Sequence, residues 1–174
     1  MSRRTTLIAL LIVGLIAAAL GVYAGHRTTA PKTPADNAVA AFYGSKLPDA
    51  NGTPLDLAAF RGQAVVINFW APWCGPCVEE MPELSALAQE QKAKAKFVGI
   101  GIDTAANIQT FLNKVPVMYP IAVAGFGGTE LGRQFGNEVG GLPFTVILNA
   151  HGEITFRKMG RVHAEELRDA LQRT

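Results

Sequence analysis

Residues 68–77 read Asn68-Phe69-Trp70-Ala71-Pro72-Trp73-Cys74-Gly75-Pro76-Cys77, and the rest of the chain is read outward from them. Upstream, Gln63 to Trp70 is a continuous apolar run, the pattern of a central strand covered on both faces. Downstream, Val78, Met81, Leu84, Leu87 and Ala88 recur on one face, which predicts a helix from about Gly75 to Ala93. Pro82 lies inside that helix and is expected to kink it, because its ring removes an amide donor. Cys74 and Cys77 are the only cysteines in the chain, three positions apart at the strand-to-helix junction. Free amides and the helix dipole at such a junction favour a thiolate, lowering a cysteine pKa from about 8.5 toward about 7 or below.

This spacing predicts a reversible dithiol/disulfide pair. A bridge across so short a loop restricts the unfolded chain very little, so a structural staple is a poor explanation. A structural zinc site needs four ligands, and His26, His151 and His163 are scattered far from the two thiols. Cys77, one turn into the helix, is placed to attack a mixed disulfide formed on Cys74 and release the other partner. Trp70 and Trp73 are expected to wall the site, with ordinary core packing the competing reading for Trp70.

Farther out, strand and helix patterns alternate. Asp49-Ala50-Asn51-Gly52 signals a hairpin turn before the central strand. Strands are expected at Phe97 to Ile102, Ile121 to Ala124, Phe144 to Asn149 and Glu153 to Met159, the last two as a hairpin around Ala150-His151-Gly152. Helices are expected at Ala105 to Lys114, Thr129 to Phe135 and His163 to Gln172. Gly125 to Gly128 reads as a loop, with no lysine at phosphate-loop spacing. The expected fold class is α/β, a four- or five-stranded mixed sheet flanked by helices.

The N-terminal end has a different composition. Residues 5–25 carry no charge, follow Arg3-Arg4, and precede His26-Arg27. About 20 helical residues match a hydrocarbon core of about 30 Å, and the leading arginines favour an N-terminus left in the cytoplasm. The segment reads as a single-pass anchor, with a signal peptide cleaved near Val22-Tyr23-Ala24 as the alternative. Both readings place the domain outside the cytoplasmic membrane. The expected organisation is an anchor or signal segment at 1–25, a linker at 26–44 with Pro31 and Pro34, and a folded domain at 45–174. Across 174 residues the net charge is +2, and Arg3 and Arg4 account for all of it. The remainder balances to zero, which argues against a nucleic-acid binder, since that needs a clustered basic face to neutralise phosphates.

Residues 68–77 also resemble a thioredoxin active site, and Gly141-Leu142-Pro143-Phe144-Thr145 resembles that fold's cis-proline loop. Arg61-Gly62-Gln63 before an apolar strand, the preceding hairpin and the anchor narrow the resemblance to the TlpA/ResA-like branch, membrane-tethered thiol–disulfide oxidoreductases. The resemblance covers about residues 45–174 and implies a thioredoxin fold with an N-terminal hairpin and a central helix–strand insertion over Ala105 to Ala124. It implies Cys74 as attacking thiol, Cys77 as resolving thiol, and Pro143 as the cis residue beside them. The backbone of Leu142 would pair with a substrate segment, with Trp73, Gly75 and Pro76 around the reacting sulfur. No cofactor beyond the Cys74–Cys77 disulfide is implied.

One departure is informative. Thioredoxins carry an aspartate six residues before the first cysteine, where this chain has the non-titrating Asn68. The ResA-like pattern instead has a glutamate three residues after the second cysteine, and Glu80 matches it. Positions i and i+3 share a helix face, so Glu80 is expected to be the acid/base for Cys77, partly desolvated with a raised pKa. The competing reading is a solvated first-turn acid like Glu79. The Gly-Pro pair between the cysteines resembles that of reducing thioredoxins. The expected function is therefore reduction of disulfides in client proteins, with recharging by a DsbD-like membrane donor and cytochrome c or copper-site maturation as the family's context. A disulfide-forming oxidant or isomerase, and a non-enzymatic tethered binding module, are the alternatives.

Overall fold

The structure, a computed structural model, describes residues 3–28 and 33–174, with side chains described for residues 11–23 and 33–174. It divides into two units, residues 1–32 and 33–174. The first holds helix α1 (Arg3–Thr28), whose Leu11, Leu15 and Val22 side chains are exposed. The anchor expected over residues 5–25 lies partly outside the described side chains. Among the described residues, no helix is long and apolar enough to cross a membrane.

The second unit starts earlier than the sequence reading puts it. The linker expected over residues 26–44 is corrected: residues 34–44 form helix α2 (Pro34–Gly44), and residues 29–32 lie outside the described residues. Thr33 caps α2 by accepting from the Asp36 amide, while the Asp36 carboxylate accepts from the Thr33 amide. Pro34 stands where its missing N–H costs nothing. Ala38, Val39, Phe42 and Tyr43 are buried, which makes α2 part of the core.

Strands β1 (Lys46–Pro48) and β2 (Pro54–Asp56) pair antiparallel around the Asn51-Gly52 turn, where Asp49 Oδ1 accepts from the amides of Asn51 and Thr53. A short 3₁₀ turn follows over Leu57–Phe60. The main sheet is built from β3 (Ala64–Trp70), β4 (Ala95–Gly101), β5 (Ile121–Val123), β6 (Phe144–Leu148) and β7 (Ile154–Met159), in the order β5-β4-β3-β6-β7. β3 is parallel to β4 and antiparallel to β6, so the sheet is mixed, with β3 in the middle. Helix α3 (Gly75–Glu90) follows β3, and Pro82 lies within it. Helices α4 (Ala105–Leu112), α5 (Gly128–Gln134) and α6 (Ala164–Gln172) complete the unit.

Alternation along β3 divides the core in two. Val65, Ile67 and Phe69 join Phe42 of α2 and Phe135 in one buried cluster. Val66 and Trp70 join Met81, Leu84 and Leu87 of α3 and Leu167 of α6 in the other. Asn68, between Val66 and Trp70, is therefore carried on the face toward α3. Trp70 is fully buried, with its ring 5.2 Å from that of Phe111, so the core reading holds for it.

The indole needs space that β4 supplies by omitting a side chain. A Cβ at Gly99 would lie 2.9 Å from Trp70 Nε1 and 2.5 Å from Ile121 Cδ1. Gly99→Ala is expected to destabilise the protein by about 1–3 kcal/mol, because the rigid indole cannot yield. Gly127→Ala, with nothing within 4 Å of the new Cβ, is expected to change stability by less than about 0.5 kcal/mol. Thermal unfolding of the two variants beside the wild type checks both.

Candidate active site

β3 ends at Trp70, and the chain turns through Ala71-Pro72-Trp73 to Cys74, which is the N-cap of α3. Cys74 and Cys77 are joined by a disulfide, with Cα atoms 5.3 Å apart. The Cys77 amide donates to Cys74 Sγ at 3.3 Å, so the helix start points a backbone donor at that sulfur. Cys74 is 6% exposed and Cys77 is 0% exposed, which leaves Cys74 the sulfur a partner can reach. Gly75 and Pro76 fill the exposed first turn. Trp73 is 65% exposed and borders an open groove with Pro72, Asp103, Asn107, Phe111 and Lys114.

Opposite this turn lies the start of β6. Phe69 pairs with Phe144, so Leu142-Pro143 continues past the last rung beside the β3–α3 turn. The Leu142–Pro143 bond is cis. Leu142 is half-buried and packs against both core clusters. Asn137 was not singled out from the sequence, yet it braces this loop: its Nδ2 donates to the Gly141 carbonyl at 2.8 Å and its Oδ1 accepts from the Gly141 amide. Asn137 is 3% exposed, and an Asn-Glu-Val-Gly-Gly run before a proline offered only a loop signal.

Glu80 is fully buried, whereas its neighbour Glu79 is 64% exposed, so the solvated reading does not apply to Glu80. Asn68 Nδ2 donates to Glu80 Oε1 at 2.7 Å and to Thr145 Oγ1 at 3.1 Å. The Val162 amide donates to Glu80 Oε2 at 2.9 Å. Burial raises the Glu80 pKa above the ordinary glutamate value, and the hydrogen bonds from Val162 and Asn68 oppose that rise without cancelling it. Asn68, which the sequence shows only as a residue that cannot titrate, is thus a donor that orients the group that can. Among the described residues, no group of three or more His, Cys, Asp or Glu side chains is placed to hold a metal.

A Cys-Gly-Pro-Cys disulfide at a helix N-terminus, beside a cis-proline on the neighbouring strand of a thioredoxin-type sheet, defines a thiol–disulfide oxidoreductase. The family model described as Redoxin matches residues 29–172, and the chain belongs to that family. It is similar to thiol-disulfide oxidoreductase ResA of Bacillus cereus, 28% identical over 127 residues that cover 72% of this chain and 71% of that protein. ResA of Geobacillus thermodenitrificans is 29% identical over 129 residues, with the same coverage. Among solved structures, a thioredoxin-related protein from Neisseria meningitidis serogroup B is 37% identical with a TM-score of 0.63, covering 72% of this chain and 96% of that one. A secreted Mycobacterium tuberculosis disulfide oxidoreductase homologous to Escherichia coli DsbE has a TM-score of 0.66 at 24% identity, covering 80% and 99%, and shares the fold.

The buried carboxyl makes a signed prediction about pH. A native pKa above the unfolded value means that the folded state holds the proton more tightly, so Glu80 favours folding at low pH. That contribution is lost as pH rises from the ordinary value of 4.5 through the raised native one. Glu80→Gln removes the titration, and reversing the Asn68 amide gives the new side-chain amide an acceptor. The unfolding free energy of the oxidised wild type minus that of Glu80→Gln is expected to fall across this window in denaturant titrations. Glu90, held down to about 2 chiefly by hydrogen bonds from Arg168, acts with the opposite sign but is common to both proteins and cancels. A difference that does not change with pH would mean an unshifted carboxyl.

Proposed function

We propose that the protein reduces disulfides in client proteins outside the cytoplasmic membrane, with Cys74 as the attacking thiol and Cys77 as the resolving thiol. The observation that carries this reading is the asymmetry of the pair: Cys74 retains contact with solvent, while Cys77 is sealed above a buried carboxyl one helical turn away. The Cys74 thiolate attacks one sulfur of a client disulfide, and the other client sulfur leaves as a thiolate that takes a proton from water. Cys77 then gives its proton to the Glu80 carboxylate, and the Cys77 thiolate attacks Cys74 Sγ. The Cys74–Cys77 disulfide forms, the second client sulfur departs, and two electrons have passed to the client.

The Leu142 backbone, just before the start of β6, pairs with an extended client segment beside the surface made by Trp73, Gly75 and Pro76. Residues 5–25 tether the domain. The uncharged run, the helix over Arg3–Thr28 and its exposed apolar side chains support that assignment. A DsbD-like membrane protein recharges the pair, and cytochrome c or copper-site maturation factors are the clients.

The test is the reduction potential of the full chain, equilibrated in dithiothreitol or glutathione buffers and followed by tryptophan fluorescence. The expected value lies near the thioredoxin end, about −270 mV; a value near the oxidant end, about −120 mV, would replace the reductant by a disulfide-forming oxidant. Cys77→Ser is expected to accumulate mixed disulfides with clients on non-reducing gels. Cys74→Ser is expected to accumulate none, because its remaining sulfur is buried.

A further inference from the structure

The segment that follows β7 is stitched to α3 by four hydrogen bonds, and only one of them belongs to the reaction above. The Arg161 guanidinium donates through Nη1 to Glu79 at 2.8 Å and through Nη2 to Glu83 at 3.1 Å. Between those two acids on the helix lies Glu80, and the residue after Arg161 supplies the Val162 amide that Glu80 accepts. The Ala164 amide reaches Glu83 at 3.4 Å. At the other end of the segment, the Gly160 amide donates to the Pro143 carbonyl at 2.8 Å, and Gly160 makes the bend with φ of +81°. Arg161 is 33% exposed, with Nε buried and unbonded, so its charge is only partly screened by water.

We propose that Arg161 is a positioning residue for the reaction: its fork onto Glu79 and Glu83 holds residues 160–164 against α3, keeps the Val162 amide on Glu80, and places a cation where it favours the ionised carboxylate. This rests on the reading of Glu80 as proton acceptor for Cys77. The physical requirement is simple. A carboxyl sealed from water holds its proton too tightly to serve as a base unless something stabilises its charged form. Asn68 and the Val162 amide do so by hydrogen bonding, and Arg161 adds a charge while fixing the second of those donors in place. The other charged group acting on Glu80 is Glu83 of α3, which opposes ionisation; Tyr119, which precedes β5, stays neutral there, because burial first and then the Glu80 charge hold its phenol above the ordinary value. His163 faces Glu83 at 3.7 Å. The same segment holds the Pro143 carbonyl, so the proton acceptor and the cis-proline loop share one support.

The experiment uses the oxidised full chain in detergent, in which neither cysteine titrates. The Glu80 carboxyl carbon is followed by ¹³C NMR against pH and assigned by its disappearance in Glu80→Gln. The wild-type midpoint is expected above the ordinary glutamate value. Arg161→Met is expected to move it up by about half a pH unit or more, roughly a threefold gain in proton affinity, and Arg161→Lys to return it part of the way. Arg161→Gln, which keeps a donor but not the charge, replaces Arg161→Met if that variant does not fold. In the reduced protein, the pH profile for reduction of glutathione disulfide is expected to move in the same direction. A raised wild-type midpoint that stays put or falls when the cation is removed overturns the role of Arg161 and leaves that of Glu80 standing. A wild-type midpoint at the ordinary value overturns both.

Discussion

A carboxyl group removed from water must find its hydrogen-bond donors inside the protein, and Glu80 finds two, one on the central strand and one in the segment after the last strand. Asn68 lies 12 residues before it on the central strand, and Val162 lies 82 residues after it, beyond the edge strand. Each donor can reach Glu80 only if the sheet, α3 and the segment before α6 are all in register. The site therefore depends on the whole unit, and the Cys-x-x-Cys turn is its exposed end.

The sheet makes this convergence possible through alternation. Val66, Asn68 and Trp70 occupy one face of β3, so a polar residue is delivered to α3 within an otherwise apolar run. Thr145, directly across from Asn68 on β6, accepts its second N–H. Gly99 on β4 leaves room for the Trp70 indole, which belongs to the same buried cluster as Cys74 and Cys77. The antiparallel pairing of β3 with β6 brings the cis-proline loop to the active-site turn, and Asn137 and Gly160 hold that loop from either side. These parts bring together a disulfide with one nearly buried sulfur and one fully buried one, and a buried carboxyl three residues along the same helix.

Much of this was legible because it is local. The apolar run of β3, the Asn51-Gly52 turn, the helical face of Val78, Met81 and Leu84, and the hairpin around His151-Gly152 are each short-range patterns. Helix α2 is equally local, but Pro34 reads as a linker residue until Thr33 and Asp36 are seen to make a capping box around it. Asn137 and Arg161 left no such trace. A lone asparagine in a glycine-rich loop and a lone arginine after a strand have no periodicity to mark them.

By itself the sequence determined the alternation of strands and helices, the redox pair and its place at a helix start, and Glu80 as the acid that shares a helix face with Cys77. These follow from residue type and spacing along one segment. Tertiary structure alone decided that Glu80 is sealed while Glu79 faces solvent, that Asn68 orients it, and that the segment from Gly160 to Ala164 is fastened to α3. Burial and hydrogen bonding between residues some 80 positions apart depend on how faces of different elements meet, and no local pattern encodes that meeting.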